Sequence, residues 1–339
     1  MVGAGRNLTP VAMINPRQLA LFAVRYGLFI ALGVWCLAMA LASEHFLTWL
    51  NILNVLRQAA PIIVIAIGMT FVIATAGIDL SVGAMVALVS VICAELFTLG
   101  APVAAVFLAA IAVGGLGGAV NGLFVRFGLP AFVVTLAALT YLRGIGFVIS
   151  DGYATPITSE AFNWLGRGRI YGLHTPIIIA AVVAVVGWFI LTRTRFGLYV
   201  LAVGGREDAA RAMGIATGRI KLIVYTATGA LAALGGMILS ARLSNGSPNA
   251  GIMLELDVIA ATVLGGTSLF GGTASIGGTI AGAIFLNAVR NGLNLMGVNP
   301  FWVQVVTGVI LLLAIVLNVI VNRRVEEWAR LSGKAGNDD

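Results

Sequence analysis

The chain has 339 residues, 60% of them hydrophobic and only 10% charged, with a mean hydropathy of +1.04. Soluble domains carry roughly 25% charged residues, so a polytopic membrane protein is the class that fits. The net charge of +7 would suggest nucleic acid in a soluble protein, but basic residues also collect on the cytoplasmic side of membrane proteins, and no nucleic-acid partner is expected.

In chain order, residues 1–25, with Arg6, Arg17 and Arg25, read as a cytoplasmic leader. A first apolar span follows at 26–42. Its Ala40-Leu41-Ala42 end imitates a signal-peptidase site, but the basic region before it is long for a signal peptide, so a retained helix is expected. Further spans are expected at 59–76, 82–99, 103–125, 131–149, 176–191, 222–241, 256–270, 274–296 and 301–321. Polar segments separate them at 43–57, 150–175, 192–221 and 242–255, and 322–339 is a cytoplasmic tail. Placing both ends in the cytoplasm puts 14 basic residues on that side and 5 on the other. The expectation is an all-α polytopic fold of about ten transmembrane helices, N-in and C-in, some of them broken, in a single transmembrane domain over 26–321.

Glycine is 43 of 339 residues, nearly twice the ~7% average. Lipid supplies little hydrophobic drive between helices, so small residues that let backbones approach take over. Gly114, Gly118 and Gly122 at four-residue spacing, and Gly278 with Gly282, predict such seams. Cys36 and Cys93 sit inside apolar runs and read as packing residues. Two local repeats are visible. Gly77-x-x-x-Ser81-Val82-Gly83 returns as Gly271-x-x-x-Ser275-Ile276-Gly277, and Asn121-Gly122-Leu123 with Pro130 returns as Asn291-Gly292-Leu293 with Pro300.

Enzyme chemistry finds no footing. His45 and His174 are the two histidines and both lie in loops; there is no HExxH, no GxSxG and no cysteine pair at metal spacing. Neither Lys221 nor Lys334 fits a P-loop, so if ATP drives this protein another chain must bind it. No cofactor or metal is expected on this chain. The segment 204–221 is the densest charge cluster between spans. Glu207 and Asp208 open a short helix over 207–213, where a helix N-terminus favours negative charge, and Gly214 closes it as a left-handed cap. Such a helix is either interfacial or a docking element for a cytoplasmic partner.

Asp79 and Ser81 lie between two apolar spans. They cap the following helix or mark a broken helix whose backbone lines a pathway. Glu255 and Asp257, after Asn249, are interfacial or hydrogen-bond a polyhydroxy substrate or a docked partner. Glu95 and Arg290 are expected to face protein or a cavity, and Arg143 to snorkel from a helix end.

These stretches carry a resemblance. Gly68-Met69-Thr70-Phe71-Val72-Ile73 running into Gly77-Ile78-Asp79-Leu80-Ser81-Val82-Gly83 resembles the signature of permeases of ribose- and xylose-type ABC importers. So do Pro248-Asn249-Ala250-Gly251 leading to Glu255-Leu256-Asp257, Val263-Leu264-Gly265-Gly266-Thr267, and Asn291-Gly292-Leu293-Asn294-Leu295. Asp208-Ala209-Ala210, three residues, then Gly214 is similar to the Glu-Ala-Ala-x-x-x-Gly loop of ABC importer permeases, with Asp in place of Glu and no downstream Leu-Pro at Leu222-Ile223. The resemblance implies a bacterial inner-membrane permease subunit that translocates a monosaccharide and does no bond chemistry. It implies a second permease subunit, cytoplasmic ATPases that bind ATP and Mg, and a periplasmic sugar-binding protein. Glu207, Asp208, Ala209, Ala210 and Gly214 would couple to the ATPase, and Asp79, Ser81, Asn249, Glu255 and Asp257 would line the path. Nucleosides or branched-chain amino acids are the rival substrates within the family. An ion-coupled secondary transporter and a non-transporting scaffold are the rivals outside it.

Overall fold

The computed structural model describes residues 16–310 together with 312, 313, 315, 316, 319 and 320, with side chains from residue 27 onward. The first fifteen residues of the expected leader and the expected tail 322–339 lie outside the described residues. In chain order the helices are α1 (Pro16–Ala42), α2 (Trp49–Ala74), α3 (Val82–Thr98), α4 (Val103–Arg126), α5 (Ala131–Ser150), α6 (Glu160–Arg167), α7 (Thr175–Arg193), α8 (Arg195–Gly205), α9 (Glu207–Ala212), α10 (Thr217–Leu243), α11 (Leu254–Leu264), α12 (Ile276–Leu295) and α13 (Pro300–Ile310). Four two-residue strands, β1 (Thr155–Pro156), β2 (Arg169–Ile170), β3 (Leu173–His174) and β4 (Asn245–Gly246), pair antiparallel as β1 with β4 and β2 with β3.

Five helices, α2, α4, α5, α7 and α10, are long and apolar enough to cross a membrane by length and composition. At ~1.5 Å per residue they reach roughly 28–40 Å, against a hydrocarbon core of about 30 Å. α2 is the central pillar: every residue from Ala59 to Ala74 is buried. α10 packs along it on one side with α4 beyond, and α12, α11 and α7 close the others. The outer faces of α4, α5 and α7 stay apolar and exposed, as at Leu116, Val148 and Val185, which suits helices solvated by lipid.

The expected glycine seam is present. Gly114, Gly118 and Gly122 lie on one stripe of α4 against the α10 backbone at Gly229, Tyr225 and Leu222. A Cβ on Gly118 would lie 2.2 Å from the Tyr225 carbonyl oxygen, so the two helices touch backbone to backbone.

Several expectations are corrected. Helix α1 begins at Pro16 and α2 at Trp49, each about ten residues before the span read from hydropathy. Asn54 and Arg57, the polar residues that suggested a loop at 43–57, lie three apart on one helical face and bond to each other, Arg57 Nη2 donating to Asn54 Oδ1 at 3.3 Å. The segment 192–221 is not a plain loop, since α8 and α9 occupy it. The span expected at 256–270 is the 11-residue α11, too short to cross, followed by irregular backbone to Ser275. Arg143 is well inside α5 rather than at an end.

Candidate functional site

Two interruptions of the helical core meet at the end of the bundle that carries α9. The first runs from Thr75 to Ser81. Ala76 takes φ +59°, and the chain turns back into α3. Water is scarce inside a bilayer, so each freed backbone group needs a partner from the protein. Ile78 O accepts from Tyr225 Oη of α10 and Thr135 Oγ1 of α5, both at 3.3 Å. Asp79 is 1% exposed; its Oδ1 accepts from the Ser81 N–H at 2.9 Å and the Ser81 hydroxyl at 2.6 Å. Asn121 Nδ2 of α4 donates to Ser81 Oγ at 2.8 Å. Asp79 thus closes the turn before α3 at a break in the core; the N-cap of α3 is Ser81, whose side chain makes no capping bond into the helix.

The second interruption, between α11 and α12, also ends on a serine at a helix start, with different bonding. Ser275 opens α12 and accepts from the Gly278 N–H at 3.0 Å, the place Ser81 holds before α3. The two breaks are joined directly, Gly272 N–H donating to Ala74 O at 3.1 Å. Gly204 at the end of α8 fits between them; a Cβ there would lie 1.8 Å from Ala74 O and 2.7 Å from Gly272 N.

α9 begins two residues after α8 ends at Gly205. It is six residues long and closes on Gly214 at φ +84°, as its composition predicts. Ala210 is buried, while Asp208 and Ala209 face outward. Glu207 points back to the bundle, accepting from Lys221 Nζ of α10 at 2.6 Å and from Arg211 Nη2 at 3.2 Å. Burial alone would raise its carboxyl, but Lys221, Thr217 and Arg211 outweigh that and hold it below the ordinary value. A cavity of about 300 Å³ is walled by Glu207, Lys221 and Arg126 on one side and by Thr75, Ala76 and Gly77 on the other. Of the coupling candidates, Glu207 thus shares one cavity with the first break.

Asn249 and Glu255 belong to a re-entrant stretch. After α10 the chain reverses at Ser244 (φ +54°) and runs along α3 toward that helix's start. Gly246 lies against Ser90 O and Gly251 against Gly83 O, and Ser90 Oγ accepts from the Ser247 N–H at 3.0 Å. α11 then begins beside Gly83, where a Cβ would lie 2.0 Å from Glu255 Oε2. Arg143 Nη1 of α5 donates to Pro248 O at 3.4 Å. A guanidinium at this depth ties down irregular backbone instead of snorkelling. Asn249 is exposed on the same stretch, and Glu255 is buried with Oε2 lacking a hydrogen-bond partner within the chain.

Asp257 does not join them. Two residues along a helix turn through about 200°, so Asp257 faces away from Glu255, to α12. There Arg290 grips it with both terminal nitrogens, Nη1 donating to Oδ2 at 2.8 Å and Nη2 to Oδ1. Glu95, the other intramembrane acid, accepts from Thr155 Oγ1 at 3.1 Å beside the β1–β4 pair. Asn121, Thr135, Tyr225, Gly204 and Arg143 are site-building residues that the sequence reading gave no such part. For Asn121 a signal existed, since it lies in the repeated Asn-Gly-Leu motif.

The chain matches the family described as branched-chain amino acid transport system / permease component over residues 51–315. It is 42% identical over 294 residues to the ribose import permease protein RbsC of Escherichia coli (strain K12), covering 85% of this chain and 92% of that one. The Bacillus subtilis (strain 168) ribose import permease protein RbsC is 43% identical over 300 residues, covering 87% and 92%. The D-allose transport system permease protein AlsC of Escherichia coli (strain K12) is 35% identical over 314 residues, covering 91% and 96%. No solved structure matches. Broken helices stitched together by buried polar side chains, a short helix seated against the break, and a family match spanning the helical core converge on one statement: the chain belongs to this family of membrane transport permeases and is a multi-pass, non-catalytic transport subunit.

Proposed function

We propose that the chain is one of two permease subunits of an ATP-driven importer that moves a monosaccharide across the bacterial inner membrane. The observation that carries this is the match along nearly the whole chain to permeases named for ribose and D-allose, together with α9 seated against the first break. ATP and Mg belong to a separate cytoplasmic ATPase. A periplasmic sugar-binding protein delivers the substrate. Ten crossings, α1 to α5, α7, α10, α11 with the irregular 265–275, α12 and α13, leave both ends in the cytoplasm, in line with the basic-residue bias. α9 then lies on the cytoplasmic side, and α6 with the β2–β3 hairpin on the periplasmic side.

The mechanism is alternating access. Asp208, Ala209 and Gly214 present α9 to the ATPase, with Ala210 as its buried anchor. Movement of α9 reaches α10 through Glu207–Lys221 and reaches both breaks through Gly204, which touches Ala74 and Gly272. Asp79 and Ser81 at the first break, and Asn249 and Glu255 on the re-entrant stretch, offer polar groups to sugar hydroxyls. Asp257 contributes through its grip on Arg290, which fixes α11 to α12. An uncharged sugar suits a path in which the fixed charges are this few.

Reconstitution of the chain with its ATPase and binding protein in proteoliposomes, fed radiolabelled D-ribose, D-allose and L-arabinose, tests the proposal. Uptake of at least one sugar that requires internal ATP and survives an uncoupler supports it. ATP-independent uptake driven by a proton gradient, or uptake of a branched-chain amino acid in place of every sugar, contradicts it.

A further inference from the structure

At the end opposite α9, cationic groups gather with no ion pair to any of them among the described residues. Arg57 of α2 lies within electrostatic reach of both Arg242, at the end of α10, and His174, at the start of α7; Arg169 lies beside His174. Arg167 Nε donates to Arg242 O at 2.9 Å, which brings a fourth guanidinium to the group. The ion pairs among the described residues join Glu207 with Arg211 and Lys221, and Asp257 with Arg290, so none neutralises this cluster. Burial, then the charges of Arg57 and Arg169, hold the His174 imidazole below its ordinary value.

Buried polar atoms without a hydrogen-bond partner in the chain concentrate at the same place: Arg57 Nε, His174 Nδ1, Thr175 Oγ1 and Arg242 Nη1. Burying a donor unpaired is costly; Arg57 and Arg242 are half-buried and Arg167 and Arg169 exposed, so the cost falls on the enclosed atoms. An oxyanion meets such guanidinium donors with charge-assisted hydrogen bonds, and of these residues Arg242 lines the cavity at this end.

A cavity of about 320 Å³ opens beside Arg242. Its polar wall is Gln58, Arg242, Asn287, Asn294 and the Asp257–Arg290 pair; the rest is proline and aliphatic side chains of α2, α10, α11 and α13. Arg290 already occupies both Asp257 oxygens, so that carboxylate does not cancel Arg242. Asn287 donates to Ala283 O at 2.9 Å, which leaves its amide oxygen for a ligand hydroxyl. The wall therefore offers a cationic corner for an oxyanion, amides for hydroxyl groups, and an apolar remainder.

We propose that this cavity binds a glycerophosphate-type group, its phosphate on Arg242 with Arg57 behind, its hydroxyls on Gln58, Asn287 and Asn294. The apolar remainder of the wall favours the headgroup of an anionic phospholipid over a free polyol phosphate. The proposal stands apart from the identity of the transported solute.

The test uses the purified full-length permease in detergent with three probes: dioleoylphosphatidylglycerol, dioleoylphosphatidylcholine and glycerol 3-phosphate. Native mass spectrometry reads retention and thermal melting reads stabilisation. Phosphatidylglycerol should be retained and raise the melting temperature, and phosphatidylcholine should do neither. Arg242→Gln should weaken retention by about tenfold, as expected for loss of a charge-assisted contact. Arg219→Gln, an exposed cation by α9, should leave retention unchanged. If Arg242→Gln fails to fold, Gln58→Leu, an exposed wall position, should weaken retention in its place. Arg242-dependent stabilisation by glycerol 3-phosphate, with no preference for phosphatidylglycerol, would keep the site and assign it to the free phosphate. Equal retention of both lipids with no response to glycerol 3-phosphate, or retention indifferent to Arg242 and Gln58, overturns the proposal.

Discussion

Asp79 holds the first break together, and we propose that transport depends on it. It satisfies the Ser81 N–H and hydroxyl, and through Ser81 it holds Asn121 of α4 in place. Asp79→Ala removes an acceptor worth roughly 1 kcal/mol at a helix start, a loss the membrane protein should survive. Uptake per molecule should nevertheless fall several-fold, because the break loses its fixed shape. Wild-type uptake per molecule would reduce Asp79 to a dispensable cap. Glu207 gives a pH-dependent counterpart. Burial acts to raise its carboxyl, and the Lys221 ammonium overrides that and holds it below the ordinary value in the fold. A lowered folded pKa gives a contribution that is complete above the unfolded pKa and is lost as pH falls through the folded one. The tie between α9 and α10 is therefore intact at neutral pH and released in acid, below the ordinary carboxylate range. Spin labels at Met213→Cys and Arg219→Cys should give a narrow distance distribution at pH 7 that broadens below that range. With Glu207→Gln the distribution should be broad throughout; a narrow one in that variant would remove Glu207 from the account.

At the scale of the element, the α4–α10 seam separates positions by what a side chain would meet. A Cβ on Gly118 would meet the Tyr225 carbonyl oxygen at 2.2 Å, whereas one on Gly115, three positions earlier, would meet nothing within 4 Å. Gly118→Leu should abolish accumulation of the folded protein, and Gly115→Leu should be tolerated, as read by membrane abundance and size-exclusion profile. Equal behaviour of the two would contradict backbone-to-backbone packing. The seam was legible in the sequence because four-residue glycine spacing states the contact outright. So was α9, whose acidic start and terminal glycine are local signals that need no tertiary partner. The starts of α1 and α2 were not legible, since hydropathy reports where lipid is and not where hydrogen-bonded turns begin. The re-entrant stretch escaped for a related reason: Ser244 to Met253 is polar, and polarity marks a surface loop unless Ser90 and Arg143, distant in sequence, are known to receive it. Asp257 was grouped with Glu255 because they are neighbours in sequence, and helical rotation puts them on opposite faces.

In the whole molecule, both breaks, Gly204 and α9 lie at one end, while α6, the β pairs and the arginine cluster lie at the other. That polarity is what an importer requires if one end meets the ATPase and the other meets the delivered sugar. A single cysteine at the exposed Gly205 should react with a membrane-impermeant maleimide only after the cytoplasmic face is opened; labelling in intact cells would invert the assignment. The central claim, that α9 transmits ATPase movement to the breaks, is tested most directly at Gly214. A Cβ there meets nothing within 4 Å, so substitution leaves the packing of the spans alone. Its φ of +84° disfavours any other residue by only ~1–2 kcal/mol, and arginine adds bulk and charge on the outward surface beside α9. The measurement is ATP-dependent sugar uptake by Gly214→Arg in proteoliposomes, normalised to permease content, with ATPase co-purification scored in parallel. Normal abundance, retained binding-protein docking and loss of both ATPase association and uptake is the predicted result; wild-type uptake with the ATPase bound would contradict the coupling role of α9.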